Sequence, residues 1–192
     1  MKPIQQAASL IFSLVMLSSV PTGAQTQPQT PPEPPTKLEA LMAKTGAVIV
    51  RGSSTIGSVT GRNGASISVE SKEFLDASTG KREYGIVIDV KKGGDVASES
   101  FSYIDYDEID SLIKGMDYIS KLQNSITKLD NFQANYQTNG AFKITRFSSG
   151  GQTTAAVASG EITEVNVFLS LSKLDDLRGL IMNAKNKLDA IK

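Results

Sequence analysis

Between Phe132 and Leu171 apolar residues recur at every second position in four short runs, FQANYQT, AFKITRFSS, TTAAVAS and EVNVFLSL, the last alternating through Val165, Val167, Leu169 and Leu171. Period-two alternation bounded by turn residues predicts half-buried strands. Asn139-Gly140 predicts a two-residue hairpin between the first two runs, and the SSGG of residues 148–151 a second tight turn. The period then changes. Leu174, Leu177, Leu180, Ile181, Ala184 and Leu188 fall on one stripe of a helix. The first half repeats this order. IGSVT and ASISVESKEFL flank Asn63-Gly64, Ser78-Thr79-Gly80-Lys81 leads into EYGIVIDVKK with Ile86, Ile88 and Val90 alternating, and Gly93-Gly94 leads to ESFSYIDY. A helical stripe follows through Ile109, Leu112, Ile113, Met116 and Ile119.

An offset of 65 superimposes the two helices, placing Ile109 on Leu174, Asp110 on Asp175, Leu112 on Leu177 and Met116 on Ile181. The expected fold is α+β: two repeats, about 47–130 and 131–192, each a four-stranded antiparallel meander followed by an amphipathic helix packed on the sheets. A short helix, KLEALMAK, and a strand, AVIVR, precede the first repeat. Thr36 and Glu39 form a capping box for that helix, and Gly46 marks its end.

The N-terminus reads differently. Residues 1–24 carry one lysine, an apolar run of about 14 residues from Ala7 to Val20, and the small-residue ending Thr22-Gly23-Ala24. That is the pattern of a secretory signal peptide, too short for the roughly 20 residues of a membrane-spanning helix; an uncleaved anchor is the alternative. Residues 25–36 hold five of the seven prolines and predict a polyproline-like linker, or a proline-motif ligand. Residues 37–192 are then one globular domain, expected to be periplasmic or secreted. The chain beyond residue 24 has nineteen basic and twenty acidic side chains, a net charge of about −1. Phosphate backbones select a strongly basic balance, so nucleic acid is disfavoured as a partner.

Neither histidine nor cysteine occurs. Ordinary zinc sites, Ser-His-Asp triads, thiol nucleophiles and disulfides are therefore excluded. The densest chemistry is the acidic stretch Asp105, Asp107, Glu108 and Asp110. It begins D-x-D like a helix-loop-helix calcium loop, but Asp110 and Met116 stand where glycine and a bidentate glutamate are required. Capping explains the acids better: Asp107, like Ser172 at the equivalent place, stands before the first helical turn, and Glu108 and Asp110 lie where the helix dipole favours negative charge. A cation site of another geometry stays open. Three S-x-x-K pairs (Ser111 and Lys114, Ser125 and Lys128, Ser170 and Lys173) and Lys44-Thr45-Gly46 echo penicillin-binding enzymes, yet S-D-N is missing and the order is wrong, so these read as solvated helix faces. GSSTIGS, residues 52–58, has phosphate-loop glycines but Ser58 in place of lysine, and reads as a bend between strands.

The run IDYDEIDSLIKGMDYI, with FQANYQTNGAFKITRF and the terminal LSKLDDLRGLIMNAKNKL, resembles a family of uncharacterised bacterial exported proteins across nearly all of residues 37–192. The resemblance implies export and carries no known activity. More loosely, the duplicated four-strand-plus-helix order is similar to the PUR and Whirly single-strand nucleic-acid binders. Their basic, aromatic-studded sheets are not matched here, so the similarity implies topology alone. The expected function is a non-catalytic interaction module for a protein, peptide or envelope component, with Tyr103, Tyr106, Tyr136 and Phe147 as candidate contacts. No catalytic, metal-ligating or cofactor-binding residue is assigned, and no cofactor is expected. The alternatives are a carboxylate-only hydrolase such as a glycosidase, using a pair from Asp105, Asp107, Glu108 and Asp110, and a single-stranded nucleic-acid binder. Oligomeric state is open.

Overall fold

The computed structural model describes residues 35–94, 98–160 and 163–192. The expected signal peptide and linker residues 25–34 lie outside the described residues. A short helix α1 (Lys37–Met42) leads into β1 (Ile49–Thr60), β2 (Ser66–Asp76), β3 (Arg82–Lys92), β4 (Ser98–Asp105) and helix α2 (Ile109–Lys121). Then come β5 (Phe132–Gln137), β6 (Lys143–Ser149), β7 (Gln152–Ser159), β8 (Val165–Leu169) and helix α3 (Leu171–Asp189). The strands form two antiparallel sheets, ordered β1-β2-β3-β4 and β5-β6-β7-β8. The expected α+β architecture of two meanders, each followed by a helix, is the observed one.

The turns follow from local chemistry. Asn63 (φ 55°) and Gly64 (φ 72°) are both left-handed between β1 and β2, and Gly150 (φ 58°) and Gly151 (φ 77°) make the two-residue turn between Ser149 and Gln152. Asn139-Gly140 behaves otherwise. The last β5–β6 pair is Gln137 with Lys143, leaving five residues in the loop, and the left-handed residue is Ala141 (φ 58°). Gly140 is required for close approach instead: a Cβ there would lie 1.9 Å from the Tyr103 carbonyl oxygen.

AVIVR and IGSVT, expected as separate strands, belong to the single strand β1, and residues 52–58 are not a bend. The register shifts between Thr55 and Gly57, a bulge that keeps the strand paired with β2 throughout. Apolar alternation is faint because β1 is an edge strand whose first half is largely exposed, with Ile49 packing against the cluster under α1. Gly57 admits α3, whose Leu180 Cδ2 would be 2.9 Å from an added Cβ.

The helices cross over. α3, which follows the second sheet, lies mainly on β1, β2 and β3 of the first, while α2, which follows the first sheet, lies on β5 and β6 of the second. The helices also pack on each other, and β3 meets β7 and β8. One core results, drawing Ile67, Val69, Ile86 and Ile88 from the first sheet, Ile144, Val157 and Val167 from the second, and Leu112, Met116, Leu177 and Ile181 from the helices. Burying each such side chain contributes about 1.5–3 kcal/mol. Polar links join the halves where apolar contact stops: Arg178 Nε to Asp117 at 2.7 Å, the buried hydroxyls of Ser102 and Ser159 at 2.7 Å, and Ser71 Oγ donating to the Ala184 carbonyl at 3.2 Å. A satellite cluster of Leu38, Leu41 and Phe74 holds α1 on the opposite face of the first sheet.

Candidate functional site

The acidic stretch lies where β4 ends, a 3-10 turn (Tyr106–Glu108) intervenes, and α2 begins. Capping by Asp107 and Ser172 is not what the structure shows. Ser170 caps α3, its Oγ accepting from Lys173 N–H at 3.3 Å, and Ser172 sits inside the first turn. Asp107 lies within the 3-10 turn and pairs with Lys37 Nζ at 2.5 Å. Asp105, which the offset of 65 places on Ser170, turns its carboxylate to another helix: Oδ2 accepts from Lys37 N–H at 2.8 Å and Oδ1 from Leu38 N–H at 3.2 Å. Thr36 Oγ1 accepts from Glu39 N–H at 3.1 Å. Two side chains thus satisfy the first three free N–H groups of α1, and Thr36, itself buried, belongs to the folded domain and not to the linker.

Glu108 has a third role. Its Oε1 accepts from the Asn139 N–H at 2.9 Å, tying the start of α2 to the β5–β6 loop, while its shielded Oε2 has no hydrogen-bond partner among the described residues. Burial pushes the Glu108 carboxyl above its ordinary range, against the pull of the Asn139 N–H. Burial likewise raises Asp105, while the hydrogen bond from Lys37 holds Asp107 low. Asp110 turns away to Lys185, 3.6 Å distant. Asp105 and Asp107 share Lys37 through its N–H and its ammonium, Glu108 goes to Asn139 and Asp110 to Lys185, and no group of three acids that could hold a metal ion occurs among the described residues.

Between these elements opens a cleft of about 530 Å³, walled by Lys37, Asp107, Glu108, Ser111, Tyr136 and Asn139 among others. It draws on α1, the start of α2, β5 and the β5–β6 loop. Tyr136 is fixed by helix α2 lying flat on its ring, since a Cβ on Gly115 would come within 2.4 Å of Tyr136 Cδ2. Burial, and then the charge of Glu108, raises the Tyr136 hydroxyl, which stays a proton donor at neutral pH. Sequence reasoning flagged Tyr136, Asp105, Asp107 and Glu108 but missed Lys37, and it read Asn139 only as a turn residue.

The other aromatic candidates are dispersed. Tyr103 packs edge-on to Phe74 beside α1, at 6.5 Å between centroids. The Tyr106 hydroxyl donates to Asp189 at 2.5 Å and its ring lies under Lys192, pinning the end of α3. Phe147 meets Phe168 on the second sheet at 6.2 Å. On the sheet faces, Lys72 pairs with Glu70, Lys143 with Glu164, and Lys91 with both Asp89 (3.1 Å) and Glu99 (2.9 Å). These lysines are neutralised by carboxylates, which is poor provision for a phosphate backbone. Of the serine-lysine pairs, Ser111 and Lys114 are exposed on α2, Ser125 stands in a short 3-10 turn (Asn124–Ile126) after it with Lys128 in the loop beyond, and Lys44 is committed to the Asp76 carboxylate.

No family model, curated protein or solved structure matches the chain. No helix among the described residues is long and apolar enough to cross a membrane.

Proposed function

We propose that the chain is an exported, non-catalytic binding module whose cleft receives a cationic, hydrogen-bond-donating group of a protein, peptide or envelope component. One observation carries this reading: the 530 Å³ cleft is lined by Asp105, Asp107, Glu108 and Tyr136 but by a single basic residue, Lys37, whose ammonium is paired with Asp107. Negative charge exceeds positive there, and polar groups converge in a concavity of ligand size. Export rests on the signal-peptide pattern of residues 1–24. The test is a titration of residues 25–192, isotope-labelled, with a lysine-bearing tripeptide and its side-chain-acetylated counterpart. The amide resonances of Ser111 and Asn139 should move with the first only, and Ser111→Trp, at an exposed position on the wall, should abolish the movement. Equal response to both peptides, or none at several millimolar, would overturn the reading.

A second reading, hydrolysis by a carboxylate pair, draws on the raised Glu108 and lowered Asp107 sharing one cleft. Against it, Asp105 spends both oxygens on backbone N–H groups and Asp107 is bound to Lys37, leaving Glu108 without an uncommitted carboxylate partner. Turnover of oligosaccharides that is lost in both Glu108→Gln and Asp107→Asn would favour it.

A further inference from the structure

Among the described residues the first strand of the first sheet is hydrogen-bonded on one side only, to β2, although it is twelve residues long. The direction of its free groups follows from one bond: the Val48 carbonyl accepts from Ala77 N–H at 2.9 Å, so Val48, Val50, Gly52 and Ser54 face β2. By alternation Ile49, Arg51, Ser53 and Thr55 direct their N–H and C=O outward. Edge strands are ordinarily blunted by proline, lysine or a bulge. Here the bulge comes only after Thr55, and the run before it has no proline and one charge, Arg51. Val48 and Val50 are 68% and 52% exposed, and beside them a groove of about 220 Å³, lined by Gly52, Ser54 and Ile191 among others, extends the uncovered surface to the end of α3.

We propose that β1 pairs antiparallel with β1 of a second copy about a two-fold axis at Ser53, joining the two first sheets into one eight-stranded sheet. That register satisfies the outward groups of Arg51, Ser53 and Thr55 reciprocally, Ser53 opposite Ser53 and Arg51 opposite Thr55. On the α3 side it sets the exposed Val50 opposite Ile56, an apolar cross-strand pair made twice. On the other side Thr55 is the ladder neighbour of Glu70, so each Arg51 lies one strand from Glu70 of the second copy, a carboxylate it would share with that copy's Lys72. Because the strand carries one charge, no like charges face each other.

The test uses residues 25–192 in sedimentation velocity and hydrogen exchange across the micromolar range. The parent should reach twice the monomer mass, with concentration-dependent protection of the Arg51, Ser53 and Thr55 amides. Ser53→Pro removes an outward N–H and no bond to β2, so it should give a folded monomer. Arg51→Glu should weaken association at least tenfold, and adding Glu70→Arg should restore it. A parent that stays monomeric, or a folded Ser53→Pro dimer, overturns the proposal. If Ser53→Pro does not fold, the charge reversal decides: association unchanged in Arg51→Glu overturns it. Protection of β1 that appears only on adding an extended foreign peptide assigns the edge to another strand and also overturns self-pairing.

Discussion

Arg146 offers the sharpest test of the crossed helices. It stands on β6, is 6% exposed, and donates from Nη1 to the carbonyls of Ile119 at 2.9 Å and Ser120 at 2.8 Å, at the C-terminal end of α2. A guanidinium there meets both the free carbonyls and the negative end of the helix dipole. Its guanidinium carbon also lies over the Phe132 ring, 5.9 Å from the centroid. Arg146→Met keeps the stem and removes the donors. Each hydrogen bond from a charged donor contributes about 1.5–3 kcal/mol, and Ile119 would retain only a long 3.4 Å bond from Leu122 N–H. Relief of the buried guanidinium's desolvation offsets part of this loss, leaving a net destabilisation of about 3 kcal/mol. With a urea slope near 2 kcal/mol/M, the unfolding midpoint should fall by about 1.5 M. Arg146→Lys, with one point charge, should recover about half of that. Equilibrium unfolding followed by circular dichroism measures both. A midpoint within about 0.25 M of the parent in Arg146→Met would show that the sheet of the second repeat does not hold the helix of the first.

Three further outcomes follow from the geometry. Ser170→Ala should cost about 1 kcal/mol and Ser172→Ala a few tenths, since only Ser170 caps α3; the reverse order in urea unfolding would restore Ser172 as the cap. Glu108→Gln should raise the melting temperature near pH 7 but not near pH 4: burial holds the native carboxyl above 4.5, so the cost of ionising it is absent below 4.5 and complete only above its raised folded value. A melting difference independent of pH would refute that account. Met116→Lys and Ile181→Lys, both wholly buried, should each abolish cooperative unfolding at a cost of several kcal/mol, and a folded Met116→Lys protein with unchanged melting would contradict the packing of α2 on the second sheet.

What the sequence disclosed was local. Asn63-Gly64 and Gly150-Gly151 announced their hairpins because left-handed backbone is a property of those residues, and the stripes through Met116 and Ile181 announced buried helices. Which sheet covers each stripe was not legible, for an apolar face specifies burial and not the surface that provides it. Asp105 was seen as an acid near a helix start, but the N–H groups it serves belong to Lys37 and Leu38, 68 and 67 residues away. The cleft was half legible: Asp107, Glu108 and Tyr136 are conspicuous residue types, whereas Asn139 contributes a backbone N–H that any residue but proline carries. β1 was read as two strands because Gly52, Ser53 and Ser54 lack the apolar alternation that burial imposes.

The crossing of the helices sets an order of events for the living chain. A polypeptide emerging N-terminus first from a ribosome completes β1 to β4 long before the residues of α3, Leu171–Asp189, exist. Until those arrive, Val59, Ile67, Val69 and Ser71 face water or whatever else is near. The first sheet must therefore remain an unfinished fold until α3 is free to reach it, so removing α3 would uncover the sheet that precedes it by more than sixty residues.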